Sequence, residues 1–151
     1  DKMKDIIAQA KGIIGYQNEL ADNLSSLRKK EMNARIAFER GKEELARITR
    51  QKTLELSSLP HINAPDPKTG RPNQEWAKML LDKELEEDEE FRGALVRFWN
   101  LQQSFYEAQS DMLDVGERLS ITKSQGRIFA ALLQLQAEED DALAATIAGT
   151  D

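Results

Sequence analysis

The sequence predicts an all-α chain, a long antiparallel coiled-coil hairpin that dimerises into a four-helix bundle. Three observations predict it. All four prolines (Pro60, Pro65, Pro67 and Pro72) fall within thirteen of the 151 residues. Apolar residues recur at alternating three- and four-residue steps on both sides of that cluster. A basic run before the prolines is answered by an acidic run after them. The length suits a single domain, 1–151, with helix 1 at about 2–57, a Pro-rich connector at 58–72 and helix 2 at about 73–147.

Helix 1 is read by counting. From Met3 the steps reach Ile6, Ala10, Ile13, Gln17, Leu20, Leu24, Leu27, Glu31, Ala34, Phe38, Gly41, Leu45, Ile48 and Lys52. Eleven of these fifteen are apolar, and the phase holds throughout, which is the signature of a left-handed coiled coil. The connector cannot be helix, because proline lacks the backbone donor and clashes with the preceding turn. Asn73, after Pro72, is a suitable cap for helix 2, and Glu75 suits the dipole of its first turn. Along helix 2 the same steps reach Phe91, Ala94, Phe98, Leu101, Phe105, Ala108, Met112, Val115, Leu119, Thr122, Gly126, Phe129 and Leu133.

A tip near residue 66 predicts that facing residues have numbers summing to 132. Gly41 then meets Phe91, Phe38 meets Ala94, Ala34 meets Phe98, Leu24 meets Ala108 and Ile6 meets Gly126, so that large faces small. Residues 28–52 hold nine Lys or Arg against four Asp or Glu, and residues 82–90 hold seven acids against one Lys. The same rule sets basic 42–50 opposite acidic 82–90, which favours this pairing over others. Two places resist it. Near the tip, Trp76, Leu80, Leu81 and Leu85 suggest a phase shift or a short separate helix. At Ser124-Gln125-Gly126 helix 2 could break and fold back.

A second stripe lies outside the seam. Leu95, Trp99, Gln102, Tyr106, Gln109 and Leu113 follow four-three spacing, while Ile7, Ile14 and Ala21 repeat every seven residues. Two helices cannot bury both stripes, and unpartnered apolar patches mark association surfaces. Leu95, Trp99, Tyr106, Leu113, Ile7 and Ile14 are therefore the expected self-association set, giving a homo-oligomer, a dimer. Leu132, Leu133, Leu135 and Ile147 overrun helix 1 and offer a surface to a protein partner.

The expected function is a non-enzymatic interaction or scaffold protein with no catalytic residue, cofactor or metal. Composition removes much chemistry: there is no cysteine for thiolate or zinc sites, and one histidine cannot build a metal cluster. His61 lies in the connector and is expected to be an ordinary exposed side chain. Lys11-Gly12-Ile13-Ile14-Gly15 and Lys68-Thr69-Gly70 lack the GxxxxGK[ST] pattern of a phosphate loop. No apolar run of membrane-spanning length and no secretory leader pattern occurs, so the expected compartment is the cytoplasm, with no membrane partner.

Two alternatives have specific residues behind them. The formal charge of −6 argues against wholesale coating of nucleic acid. A local basic stretch could still bind it, with Arg28, Lys29, Lys30 and Arg35 the contacts left unneutralised by the acidic run. No aromatic residue interleaves with them on the exposed side of helix 1. Glu86, Glu87 and Glu90 match the EExxE spacing of all-α nucleotide pyrophosphatases, helical bundles that hold Mg²⁺ between carboxylates. The downstream ExxD of that family is missing: Glu107 with Asp111 has the wrong spacing, and Asp111 with Asp114 the wrong first residue. A solvated acidic run is the preferred reading.

Thr69-Gly70-Arg71-Pro72-Asn73-Gln74-Glu75-Trp76-Ala77, followed by Glu87-Asp88-Glu89-Glu90-Phe91, resembles the connector and second-helix start of small coiled-coil hairpin proteins encoded by phages and prophages. Gly70, Asn73, Glu75, Asp88, Glu89 and Phe91 fit that pattern. Arg71 and Gln74 replace its usual Lys and Ala, and Pro72 is inserted. The resemblance covers roughly half of the chain. It implies a hairpin fold and a role near phage DNA metabolism, without an established activity.

Overall fold

Each helix starts where a side chain can satisfy backbone N–H groups that the helix itself leaves orphaned. The structure, a computed structural model, describes residues 1–149 and holds three α-helices with no strand among the described residues. α1 spans Lys2–Ser57. Asp1 opens it by accepting from the Met3 N–H at 3.1 Å. At its end Ser57, Ser58 and Asn63 donate to the carbonyls of Leu54, Glu55 and Ser57, just before Pro60 forbids another turn.

Asp66 organises the connector. Its buried carboxylate accepts from the Lys68 N–H at 2.9 Å and from Asn73 Nδ2 at 3.2 Å. Its backbone carbonyl accepts from Thr69 and Gly70, and its N–H donates to the Arg71 carbonyl. Closing so tight a loop needs a left-handed residue, which Gly70 supplies at φ +67°.

α2 spans Gln74–Glu87, capped by Asn73, whose side-chain oxygen accepts from the Glu75 and Trp76 N–H groups. The chain then breaks at Asp88 and restarts as α3, Glu89–Ala148. The expected single second helix is therefore two. Asp88 adopts extended geometry (ψ 124°), and its Oδ1 accepts from the Phe91 N–H at 2.9 Å as the cap of α3. An unbroken helix here would stack Glu86, Glu87, Asp88, Glu89 and Glu90 at repelling spacings. The break instead places Glu89 and Glu90 in a first turn, where the dipole favours them. No break occurs at Ser124-Gln125-Gly126, which lies within α3.

The chain packs as two compact units. The first joins Asp1–Lys30 to the stretch from Gln109 onward. Its core is Leu20, Leu24 and Leu119, with Met112 and Val115 packed against them. Thr122 is buried beside this core and donates to the Arg118 carbonyl of its own helix, so the hydroxyl is satisfied. The second unit is Glu31–Ala108. Phe38 stacks on Phe98 and Phe105 at ring-centroid distances of 5.5 and 5.4 Å, and Ile48, Ile62, Ala94 and Ala108 are buried.

Every position reached by the three-four count, fifteen on α1 and thirteen on α3, is buried or half-buried. The pairing of those positions is not the expected one. In the second unit Gly41 lies beneath Leu101 instead of Phe91, and Phe38 stacks on phenylalanines instead of meeting Ala94. Glu44 pairs with Arg97 at 3.2 Å, and Lys52 with Asp88 and Glu90. Facing numbers thus sum near 141, not 132. In the first unit Leu24 packs with Leu119, and Gly126 lies nearest Ile13 and Gln17 instead of Ile6.

The reason is physical. α2 uses its own turns, so the return helix begins at Glu89 and the turn is centred later than residue 66. A stripe built of three- and four-residue steps looks alike after sliding by a few steps, here from Phe91 to Leu101 opposite Gly41, so the stripe alone could not set the register. The charge argument misled as well. Among the described residues, Lys52 is the one member of the basic run that forms ion pairs with the acidic run.

Candidate interaction surfaces

The expected self-association set divides between the units. In the second, Trp99 and Tyr106 are exposed while Leu95 is half-buried at the seam's edge. In the first, Ile7, Ile14 and Leu113 are exposed. The first unit also holds a stripe that the count along the seam passed over. Ile121, Ile128 and Leu135 recur every seven residues with Leu132 between the last two, and they are 55%, 60%, 57% and 42% exposed. With Gln125 they follow four-three spacing, the pattern a partner helix reads. The isoleucine spacing carries that signal in the sequence. Leu133, expected to lie beyond helix 1, is half-buried.

Of the expected nucleic-acid contacts, Arg28, Lys29 and Lys30 are exposed in the first unit. Arg35 is in the second. It pairs with Glu31 at 2.5 Å, a seam residue whose side chain is only 7% exposed, and its guanidinium also lies 5.9 Å from the centre of the Phe105 ring. One charge thus satisfies a buried carboxylate while remaining half in water.

The densest electrostatic cluster surrounds Lys52. Its ammonium lies 3.0 Å from Glu90, 3.4 Å from Asp88 and 3.5 Å from Glu55. The hydrogen bond to Glu90, with help from Asp88, holds Lys52 well above the usual lysine range. Asp88 is held below its ordinary value, chiefly by the Phe91 N–H and further by Lys52. This cluster ties the end of α1 to the α2–α3 break within the second unit. The EExxE carboxylates are divided by that break: Glu86 and Glu87 close α2, whereas Glu90 is on α3 and engaged by Lys52. His61 is exposed, as expected, and its Nε2 lies 2.7 Å from Glu84 Oε1, linking the connector to α2.

Among the described residues no group of His, Cys, Asp or Glu is arranged to hold a metal ion, and no helix is long and apolar enough to cross a membrane. Comparison with protein families, characterised proteins and solved structures finds no match to this chain.

Proposed function

We propose that the protein is a coiled-coil scaffold: an antiparallel helical hairpin that self-associates through the carboxy-terminal part of α3. One observation carries this reading. After the seam of the first unit has closed, Ile121, Ile128, Leu132 and Leu135 still form an exposed heptad-spaced stripe. Within each unit the contacts support the hairpin, because numbers fall along α1 as they rise along α3. Lys52, Glu44 and Gly41 meet Asp88, Arg97 and Leu101 in turn.

The chemistry of the stripe selects a second copy. Arg118 stands one step before Ile121, and Glu139 one step after Leu135, on the same four-three spacing. Two stripes running antiparallel about Ile128 bring the basic end of each to the acidic end of the other, whereas parallel stripes set like charges together. The paired hairpins would form the four-helix arrangement.

A charge exchange tests this. Arg118→Glu should weaken dimerisation measurably, and adding Glu139→Arg in the same chain should restore it, read as the dimer dissociation constant by sedimentation equilibrium. Additive weakening in the double variant counts against the antiparallel pairing.

A further inference from the structure

We infer that the second unit carries a binding face for single-stranded nucleic acid, formed by Arg35 and Lys42 of α1 with Trp99 and Tyr106 of α3. The inference is independent of self-association, which uses the first unit.

Charge comes first. From Phe91 to Tyr106 α3 contains no carboxylate but has Arg92 and Arg97, directly after the seven acids of 82–90. Opposite it, residues 31–52 hold six Lys or Arg against four acids. Arg35 and Lys42 share their charge with Glu31 and Glu39, and Arg97 pairs with Glu44, so the two stretches together keep an excess of four positive charges, eight Lys or Arg against four acids. With the register near 141, the acidic run does not cover this surface, so a chain of net charge −6 presents a locally basic helix pair. Such a surface attracts a polyanion in a salt-dependent way.

The rings then select among polyanions. Trp99 and Tyr106 are 54% and 52% exposed, and seven residues of helix separate them by about 10.5 Å along the axis. With facing numbers summing near 141, Arg35 lies level with Tyr106 and Lys42 level with Trp99. Arg35 lies over Phe105, whose ring centroid is 5.7 Å from that of Tyr106. Lys42 lies 5.3 Å from the centre of Phe38, which stacks on Phe98, the neighbour of Trp99 in the chain. Between the rings is Gln102, whose Nε2 lies 3.5 Å from the Tyr106 hydroxyl, while Gln103 bonds to Glu107. Large amphipathic rings among amides and cations suit unpaired bases, which stack on aromatic faces while phosphates meet the positive groove. The four-three stripe these rings belong to, Leu95, Trp99, Gln102 and Tyr106, holds one aliphatic residue in this unit, a poor match to the aliphatic seam a partner helix reads. Duplex DNA keeps its bases stacked inside and offers these rings no face.

The test uses the full chain carrying Trp76→Phe, so that Trp99 is its one tryptophan. Titration with a fifteen-residue oligothymidylate at low salt should quench Trp99 emission, with affinity falling steeply as salt rises. Combined Arg35→Glu and Lys42→Glu should abolish binding. Trp99→Ala, followed by anisotropy of a labelled oligonucleotide, should weaken it about 5- to 150-fold, the range that stacking of one base implies. Trp99→Phe, which keeps a ring, should restore most of that loss, and helicity by circular dichroism should match the parent in each variant. The same duplex sequence and heparin should bind more weakly and indifferently to the rings. Binding should persist in Ile128→Glu, which separates this face from the self-association stripe. Absence of quenching at low salt overturns the inference. So does equal binding of heparin and oligothymidylate, which would reduce the face to general polyanion attraction. Trp99 emission that changes with protein concentration alone would assign the face to a second copy instead.

Discussion

Gly41 sits at a seam position where a Cβ would lie 2.6 Å from Leu101 Cδ1, whereas a Cβ at Gly116 would meet nothing within 4 Å. Both are mid-helix glycines with the same intrinsic cost, about 0.5–1 kcal/mol relative to alanine. Their substitutions should therefore separate. Gly116→Ala should raise thermal stability by about that amount. Gly41→Ala should gain little, since Leu101 must swing aside, and Gly41→Val should lose about 1–3 kcal/mol by overpacking. Thermal melts of the three variants check this. Equal gains at both alanine sites would deny the close approach of α1 and α3 at Gly41. The presence of a glycine on the stripe was readable from the sequence, and so was its purpose, accommodation of a large neighbour. The identity of that neighbour was not, because phenylalanine and leucine recur at the same spacing along the opposite helix.

At the scale of elements, the junction of α2 and α3 depends on Asp88. Its carboxylate is held below the ordinary aspartate range, first by the Phe91 N–H and then by Lys52. A depressed folded value means that the charge contributes stability above the unfolded value near 3.9 and loses it as pH falls through the folded one. Asp88→Asn keeps an oxygen to cap α3 and removes the charge. The stability gap between parent and Asp88→Asn should thus be full at about pH 7 and close toward about pH 2, as read by urea unfolding. A gap independent of pH would show that the charge plays no part. Asp88→Ala should cost about 0.5–2 kcal/mol at neutral pH through loss of the cap itself. Proline position made the connector legible, and Asn73 announced the start of α2 through side-chain chemistry that acts within three residues. The break at Asp88 was harder to read. An acidic run is compatible with a solvated helix, so the local cap of Asp88 on Phe91 competes with helix continuation, and Lys52, from a distant part of the sequence, adds to it.

For the whole molecule, the same contrast separates what periodicity can carry from what it cannot. Which residues turn inward is a local property of each helix, and the three-four count identified the buried stripe from Met3 to Lys52 and from Phe91 to Leu133. Pairing is non-local, and the displaced register changed the meaning of the charges: the acidic run braces a helix junction through Lys52, and most basic residues face outward. The surface proposed for self-association is not the one read from the sequence. The expected Ile7, Ile14 and Leu113 are exposed, but the continuous stripe through Ile121, Ile128 and Leu135 emerges only once the seam positions are accounted for. That stripe carries the central claim, and Ile128 at its middle tests it most directly, because an antiparallel pairing sets the two copies of Ile128 beside each other. Sedimentation equilibrium should find the parent chain dimeric at tens of micromolar and the Ile128→Glu chain monomeric with unchanged helicity. A parent that stays monomeric at those concentrations, or an Ile128→Glu chain that dimerises as tightly as the parent, would contradict the account.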